Sequence, residues 1–104
     1  MRLTEAITIR NTTFKNRVMF PPLTTGYEDR NGTITEQDIA FYTRLAEGGA
    51  GYIVIGDVAP IQNFTPTPRL FDDAQIESFR KLADSVHVYG AKLGIQIFTP
   101  DYDC

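Results

Sequence analysis

Gly51-Tyr52-Ile53-Val54-Ile55-Gly56 is a short, continuously apolar run, β-branched in its middle and bounded by glycine, and it reads as a strand buried on both faces. Such strands belong to parallel sheets, so the flanking segments are expected to alternate helix with strand. Upstream, Ile39, Tyr42, Leu45 and Ala46 recur at spacings of three and four, the mark of one buried helical stripe. Thr35 is a favourable N-cap, Glu36 and Asp38 place negative charge in the first turn, and Gly48-Gly49 supplies a left-handed stop. A helix is therefore predicted over 36–47. Before it, the polar loop 28–32 carries an Asn-Gly turn signal. Earlier still, Val18-Met19-Phe20 reads as another strand buried on both faces, stopped by Pro21-Pro22 and delivering Leu23-Thr24-Thr25-Gly26 to its C-terminal end. Ile7 and Ile9 flank Thr8, Asn11-Thr12-Thr13 is expected to turn, and Phe14 follows, so residues 3–20 read as a hairpin leading into that strand.

Downstream, the loop 57–70 holds Pro60, Pro66 and Pro68 and is longer than a bare connection needs, as functional loops in α/β units often are. Asp72 or Asp73 can cap a second helix, in which Ile76, Phe79, Ala83 and Val86 keep the 3.6-residue period and Leu82 widens the stripe. Gly90 stops it before a third apolar strand over 92–98. The predicted order is hairpin, strand, helix, strand, helix, strand, which makes two right-handed crossovers and a parallel sheet. Two helices cannot cover both faces of three such strands, so the chain reads as the opening portion of a larger barrel or sheet. An open edge beyond 92–98 would invite another segment, a complementary fragment or a second copy to pair there, which leaves a small assembly or binding module as the alternative reading.

Composition narrows the function classes. The chain has 104 residues, 42% hydrophobic and 22% charged, with a net charge of -3. Its longest apolar run, Tyr52 to Ile55, is far short of the roughly 20 residues that span a bilayer. No apolar leader follows Met1-Arg2-Leu3-Thr4-Glu5, so a cytoplasmic location is expected and the Asn-x-Thr triplets at Asn11, Asn31 and Asn63 carry no glycosylation signal. Ten Lys and Arg against 13 Asp and Glu, without a basic cluster, argue against nucleic acid as a partner. A single cysteine, Cys104, closes no internal disulfide and completes no zinc site, and the acidic end Asp101-Tyr102-Asp103 is no metal set, so no metal is expected. His87 is expected as an exposed helix residue.

Three segments now stand in order: 16–26 (Asn-Arg-Val-Met-Phe-Pro-Pro-Leu-Thr-Thr-Gly), 48–55 (Gly-Gly-Ala-Gly-Tyr-Ile-Val-Ile) and 90–98 (Gly-Ala-Lys-Leu-Gly-Ile-Gln-Ile-Phe). In that order and at those separations they resemble the start of the old yellow enzyme family, the FMN-dependent NADH:flavin oxidoreductases. The resemblance runs from about Thr8 to Tyr102. It implies the N-terminal part of a (β/α)8 barrel whose bottom is closed by the hairpin, so that residues 1–104 form about the first third of one FMN-binding domain. It implies FMN as cofactor and NADH or NADPH as reductant, with hydride passing through the flavin to an activated alkene of the α,β-unsaturated carbonyl class.

The same resemblance carries over individual residues. Pro22, Leu23 and Thr24 match the run whose backbone lies against the flavin ring, with the Thr24 hydroxyl near the ring's C4 carbonyl and N5. The second-strand contact falls at Gly56 or Asp57, the register being open. Gln96 matches the glutamine whose amide pairs with the pyrimidine edge, where donor and acceptor are needed together. Read without the family, Thr24 and Thr25 are ordinary loop residues and Gln96 an amide bonded to a neighbouring loop; Tyr27 divides between ring contact and loop packing. Where many members have a His after the Gln strand, this chain has Thr99-Pro100-Asp101-Tyr102. The family's phosphate-binding loops and substrate-carbonyl groups lie in later parts of its chain, so the 104 residues alone are expected to be inactive.

Overall fold

The computed structural model describes residues 2–61 and 67–98. The expectations for Asn63, Pro66, Thr99 to Asp103 and Cys104 lie outside them. Two short strands, β1 (Ile7–Ile9) and β2 (Thr12–Phe14), pair antiparallel with Ile9 opposite Thr12. The turn is therefore Arg10-Asn11, with Arg10 at a φ of 54°, and Thr12 and Thr13 belong to the strand instead of the turn. Strand β3 (Met19–Phe20), helix α1 (Glu36–Glu47), strand β4 (Tyr52–Val58), helix α2 (Ile76–His87) and strand β5 (Lys92–Ile97) follow. β3, β4 and β5 form a parallel sheet in that spatial order, with Met19 opposite Tyr52 and Tyr52 opposite Lys92.

Local chemistry accounts for both helices. Thr35 caps α1: its hydroxyl accepts from the Asp38 N–H while the Asp38 carboxylate accepts from the Thr35 N–H, a reciprocal capping box. Gly49, at a φ of 115°, ends the helix in a conformation other residues avoid. Asp72 opens a single 3-10 turn, Asp73–Gln75, that runs into α2. Ile53, Ile55 and Val58 of β4 meet Tyr42 and Ala46 of α1 and Phe79, Leu82 and Val86 of α2 in one core. Ile76 is 45% exposed and takes no part in it, because the stripe begins a turn later, at Phe79.

One strand departs from the double-sided burial expected of it. Val18 and Met19 are exposed, since β3 is only two residues long and, among the described residues, pairs on one side alone. Ile95 and Ile97 of β5 are exposed for the same reason. β4 is the central strand, and Ile53 and Ile55 are fully buried. At its N-terminal end Tyr52 meets Phe14 of the hairpin edge to face, ring centroids 5.2 Å apart. The hairpin thus packs against the end of the sheet opposite the one where the candidate site lies. Among the described residues no helix is long and apolar enough to cross a membrane.

Candidate functional site

The C-terminal ends of β3, β4 and β5 lie side by side because the strands are parallel and consecutive. The chain leaving β3 at Pro21-Pro22 runs Leu23 and Thr24 across the end of β4. The approach is close enough that a Cβ on Gly56 would lie 2.6 Å from both the backbone N and O of Leu23, so the position admits only glycine without displacing that segment. β4 loses its regular register against β5 between Ile55 and Val58, and Asp57 sits in the irregularity with a φ of 57°. A left-handed aspartate costs on the order of 1 kcal/mol and is tolerated better than a bulkier residue would be. The bulge turns the Asp57 N–H out of the ladder toward β5, where it donates to Gln96 Oε1 at 3.4 Å. The Thr24 hydroxyl donates to the Asp57 carboxylate. Thr24, Asp57 and Gln96, from three strand ends, form one hydrogen-bonded chain; Leu23 and Gly56 meet beside it, and Pro22 precedes Leu23 in the segment that leaves β3. β4 runs on to Val58, so Gly56 and Asp57 both belong to the strand, Gly56 through close approach and Asp57 through hydrogen bonds.

A second polar cluster adjoins the first one residue along. Thr25 Oγ1 lies 2.8 Å from Glu28 Oε2 and 2.9 Å from Asp38 Oδ1, and it accepts from the Tyr27 N–H at 3.2 Å. A hydroxyl has one hydrogen and two acceptor positions. With one hydrogen the hydroxyl donates to one of the two carboxyls at a time, and Glu28 also hydrogen-bonds to the fully buried Asp38, so the pair of carboxyls shares a proton. Burial first, then the hydrogen bond and charge of the neighbouring Asp38, push the Glu28 carboxyl up to about 8, against the Thr25 hydroxyl, which favours its charged form. Burial and the same two carboxyls push the Tyr42 hydroxyl above its ordinary range. Sequence reasoning assigned Asp38 only a place in the helix dipole and Glu28 only a place in a polar loop. The Thr35-x-x-Asp38 spacing was the available signal, since a capping box turns its acid back toward the chain that enters the helix.

Tyr27 packs edge to face on Phe41, centroids 5.9 Å apart, as a loop aromatic. His87 is exposed on α2. Buried Arg69 donates to the carbonyl oxygens of Arg30 and Asn31, and Gln75 also donates to Asn31, so the loop after β4 is tied to the loop before α1. Among the described residues no group of three His, Cys, Asp or Glu could hold a metal ion.

The model of the NADH:flavin oxidoreductase / NADH oxidase family matches residues 2–104. The chain belongs to that family. Among curated relatives, the bilirubin reductase of Mediterraneibacter gnavus is 65% identical over 103 residues, 99% of this chain and 16% of the relative. The NADH oxidase of Thermoanaerobacter brockii is 34% identical over 93 residues, 86% of this chain and 14% of the relative. The old yellow enzyme of Pichia sp. AKU4542 superposes with a TM-score of 0.85 at 23% identity, over 93% of this chain and 26% of that one. The fold is thus the N-terminal part of an old yellow enzyme barrel. This chain spans about a sixth or less of the length of those two curated relatives. The family is one of FMN-dependent oxidoreductases that use NADH or NADPH.

Proposed function

We propose that residues 1–104 are the N-terminal portion of a single FMN-binding barrel domain and form the wall that faces the flavin ring. The single observation that carries this is the convergence of Thr24, Asp57 and Gln96 at the C-terminal ends of three adjacent parallel strands, the end at which barrel enzymes place their chemistry. The donor set suits the ring. Gln96 keeps Nε2 for a carbonyl, the Leu23-Thr24 backbone runs along the cleft, and Gly56 lets it lie close to β4. FMN, when bound, supplies two-electron hydride chemistry between a reduced nicotinamide and the substrate. Pro22, Leu23, Thr24, Gly56, Asp57 and Gln96 bind and orient the ring, while the remainder of the barrel holds the phosphate and the substrate carbonyl.

The substrate class is an alkene conjugated to a carbonyl. The 65% identity to a bilirubin reductase supports this, since an open-chain tetrapyrrole offers alkenes conjugated to lactam carbonyls. A cytoplasmic location suits a reaction that draws on NADH or NADPH. The test is the full-length protein containing this segment, purified, verified by intact mass and scanned for flavin absorbance. Anaerobic reduction by NADH and NADPH follows, then reoxidation by a simple enone and by bilirubin. We expect bound flavin that is reduced by a nicotinamide and reoxidised by at least one of the two. A protein that binds no flavin overturns the site; a reduced flavin that neither alkene reoxidises overturns the substrate class.

A further inference from the structure

We infer that Glu28, Asp38 and Thr25 form a proton-dependent latch that positions the 23–27 segment across the C-terminal end of β4. The inference rests on the flavin reading above and deepens it, because that segment is the part of the wall that no strand pairing holds. β3 ends at Phe20, and residues 21–27 lie in no strand or helix. What ties them down is side-chain chemistry at the start of α1. Thr25 Oγ1 lies 2.8 Å from Glu28 Oε2 and 2.9 Å from Asp38 Oδ1, and the Thr35 hydroxyl donates to the Tyr27 carbonyl at 2.8 Å. Asp38 is fully buried, and its second oxygen accepts the Thr35 N–H as half of the capping box. The helix N-terminus, the loop before it and the segment that enters the cleft therefore share one set of hydrogen bonds.

That set needs a proton. Two carboxyls around one hydroxyl cannot both ionise without setting one charge against another away from water. Among the described residues no donor reaches the buried Glu28 Oε1 to offset a charge there. The groups around Glu28 do not supply one either. From α1, Asp38 and the Tyr42 hydroxyl are both acidic. On its own loop, the Asp29 carboxylate is turned to the Asn31 and Thr33 N–H groups. From the loop after β4, Arg69 donates to the carbonyl oxygens of Arg30 and Asn31. Glu28 accordingly keeps its proton up to about 8 in the closed latch, and in a released loop it returns to the ordinary 4.5. The closed state therefore weakens as pH rises from about 4.5 to about 8 and changes little beyond.

The test uses the full-length protein and needs no turnover. Hydrogen exchange of the backbone amides across 23–35 is followed by mass spectrometry from pH 5 to pH 9 and corrected for the intrinsic pH dependence of exchange. We expect opening of this segment to rise about five- to thirtyfold over that range. Glu28→Gln brings a permanent N–H donor for Asp38 and a carbonyl for Thr25, and should hold the segment closed at every pH. Glu28→Ala removes the latch and should leave it equally open at pH 5 and pH 9. Flavin release, measured by ultrafiltration, should quicken with pH in the wild type and stay nearly level in Glu28→Gln. Exchange that is flat with pH in the wild type, or that rises alike in the wild type and Glu28→Gln, overturns the latch. Exchange that follows the latch while flavin release ignores it overturns the link to the cleft. A full-length protein that takes up no flavin overturns the flavin reading and the positioning role with it, while the exchange profile still decides the latch.

Discussion

At Glu28 one proton decides whether a hydrogen-bond set closes. Glu28 and the buried Asp38 hydrogen-bond to each other only while the pair keeps a proton, and burial holds that proton on Glu28. Its folded value of about 8 stands above the ordinary 4.5, so between those limits the unfolded chain has lost a proton that the native one keeps. Stability conferred by the group is therefore full below about pH 4.5, declines as pH rises and is gone above about 8. Because Glu28 is only partly buried, solvent screening holds the effect to roughly 1–2 kcal/mol. Glu28→Gln supplies a permanent donor and should remove this slope, leaving the variant the more stable at pH 9 and little changed at pH 5. Thermal unfolding at pH 5, 7 and 9 reads this directly, and parallel profiles for the two proteins would contradict it. Gly56 makes a steric argument of the same kind. Gly56→Ala places a methyl 2.6 Å from the Leu23 backbone, and moving that segment should cost about 1–3 kcal/mol and lower the flavin-to-protein ratio of the full-length enzyme. A variant that retains flavin fully would show that Leu23 and Thr24 can shift without consequence for the ring.

At the scale of elements, periodicity made both helices legible because a stripe at i, i+3 and i+4 has few other ways to be buried. The bounds of α1 fall where Thr35 and Gly48-Gly49 place them, and those of the central strand β4 follow from its apolar run. Sequence pattern was silent on partner count. Val18-Met19-Phe20 and Tyr52-Ile53-Val54-Ile55 look alike as apolar runs, but one lies at a sheet edge and the other between two strands, so their exposure differs. The family's motifs picked out three segments that the fold brings together at one end of the sheet. The bulge at Asp57 and the proton held by Glu28 were not, because each depends on which strand end or loop lies opposite. Helix α2 offers a clean contrast between pattern and packing. Leu82 is fully buried, and Leu82→Ala should cost about 2–4 kcal/mol, whereas Ile76→Ala should stay within about 0.5 kcal/mol despite sharing the periodic stripe. Urea denaturation of both variants decides it, and equal losses would mean that Ile76 packs in solution against something the described contacts omit.

Taken whole, the described residues bury one side of the sheet well and leave apolar side chains exposed along both of its edges. The helices and the inward residues of β4 make the core, while Met19 on β3 and Ile95 and Ile97 on β5 stay exposed at opposite edges. An apolar groove of about 470 Å³ lies between the hairpin and β3, lined by Leu3, Ile7, Ile9, Phe14, Met19 and Tyr52. Backbone groups at a bare sheet edge pair with whatever strand is offered, and apolar surface beside them adds to the drive. Expressed without the rest of the barrel, the chain should therefore associate with itself through these edges, its apparent mass by light scattering rising with concentration. The same preparation should be catalytically silent, because hydride transfer needs the ring held from its phosphate end as well as from this wall. NADH oxidation is the companion measurement. A strictly monomeric chain across the concentration range would show that the edges are satisfied without a partner, and NADH turnover above background by a mass-verified preparation would show that this wall alone suffices to bind and use the flavin.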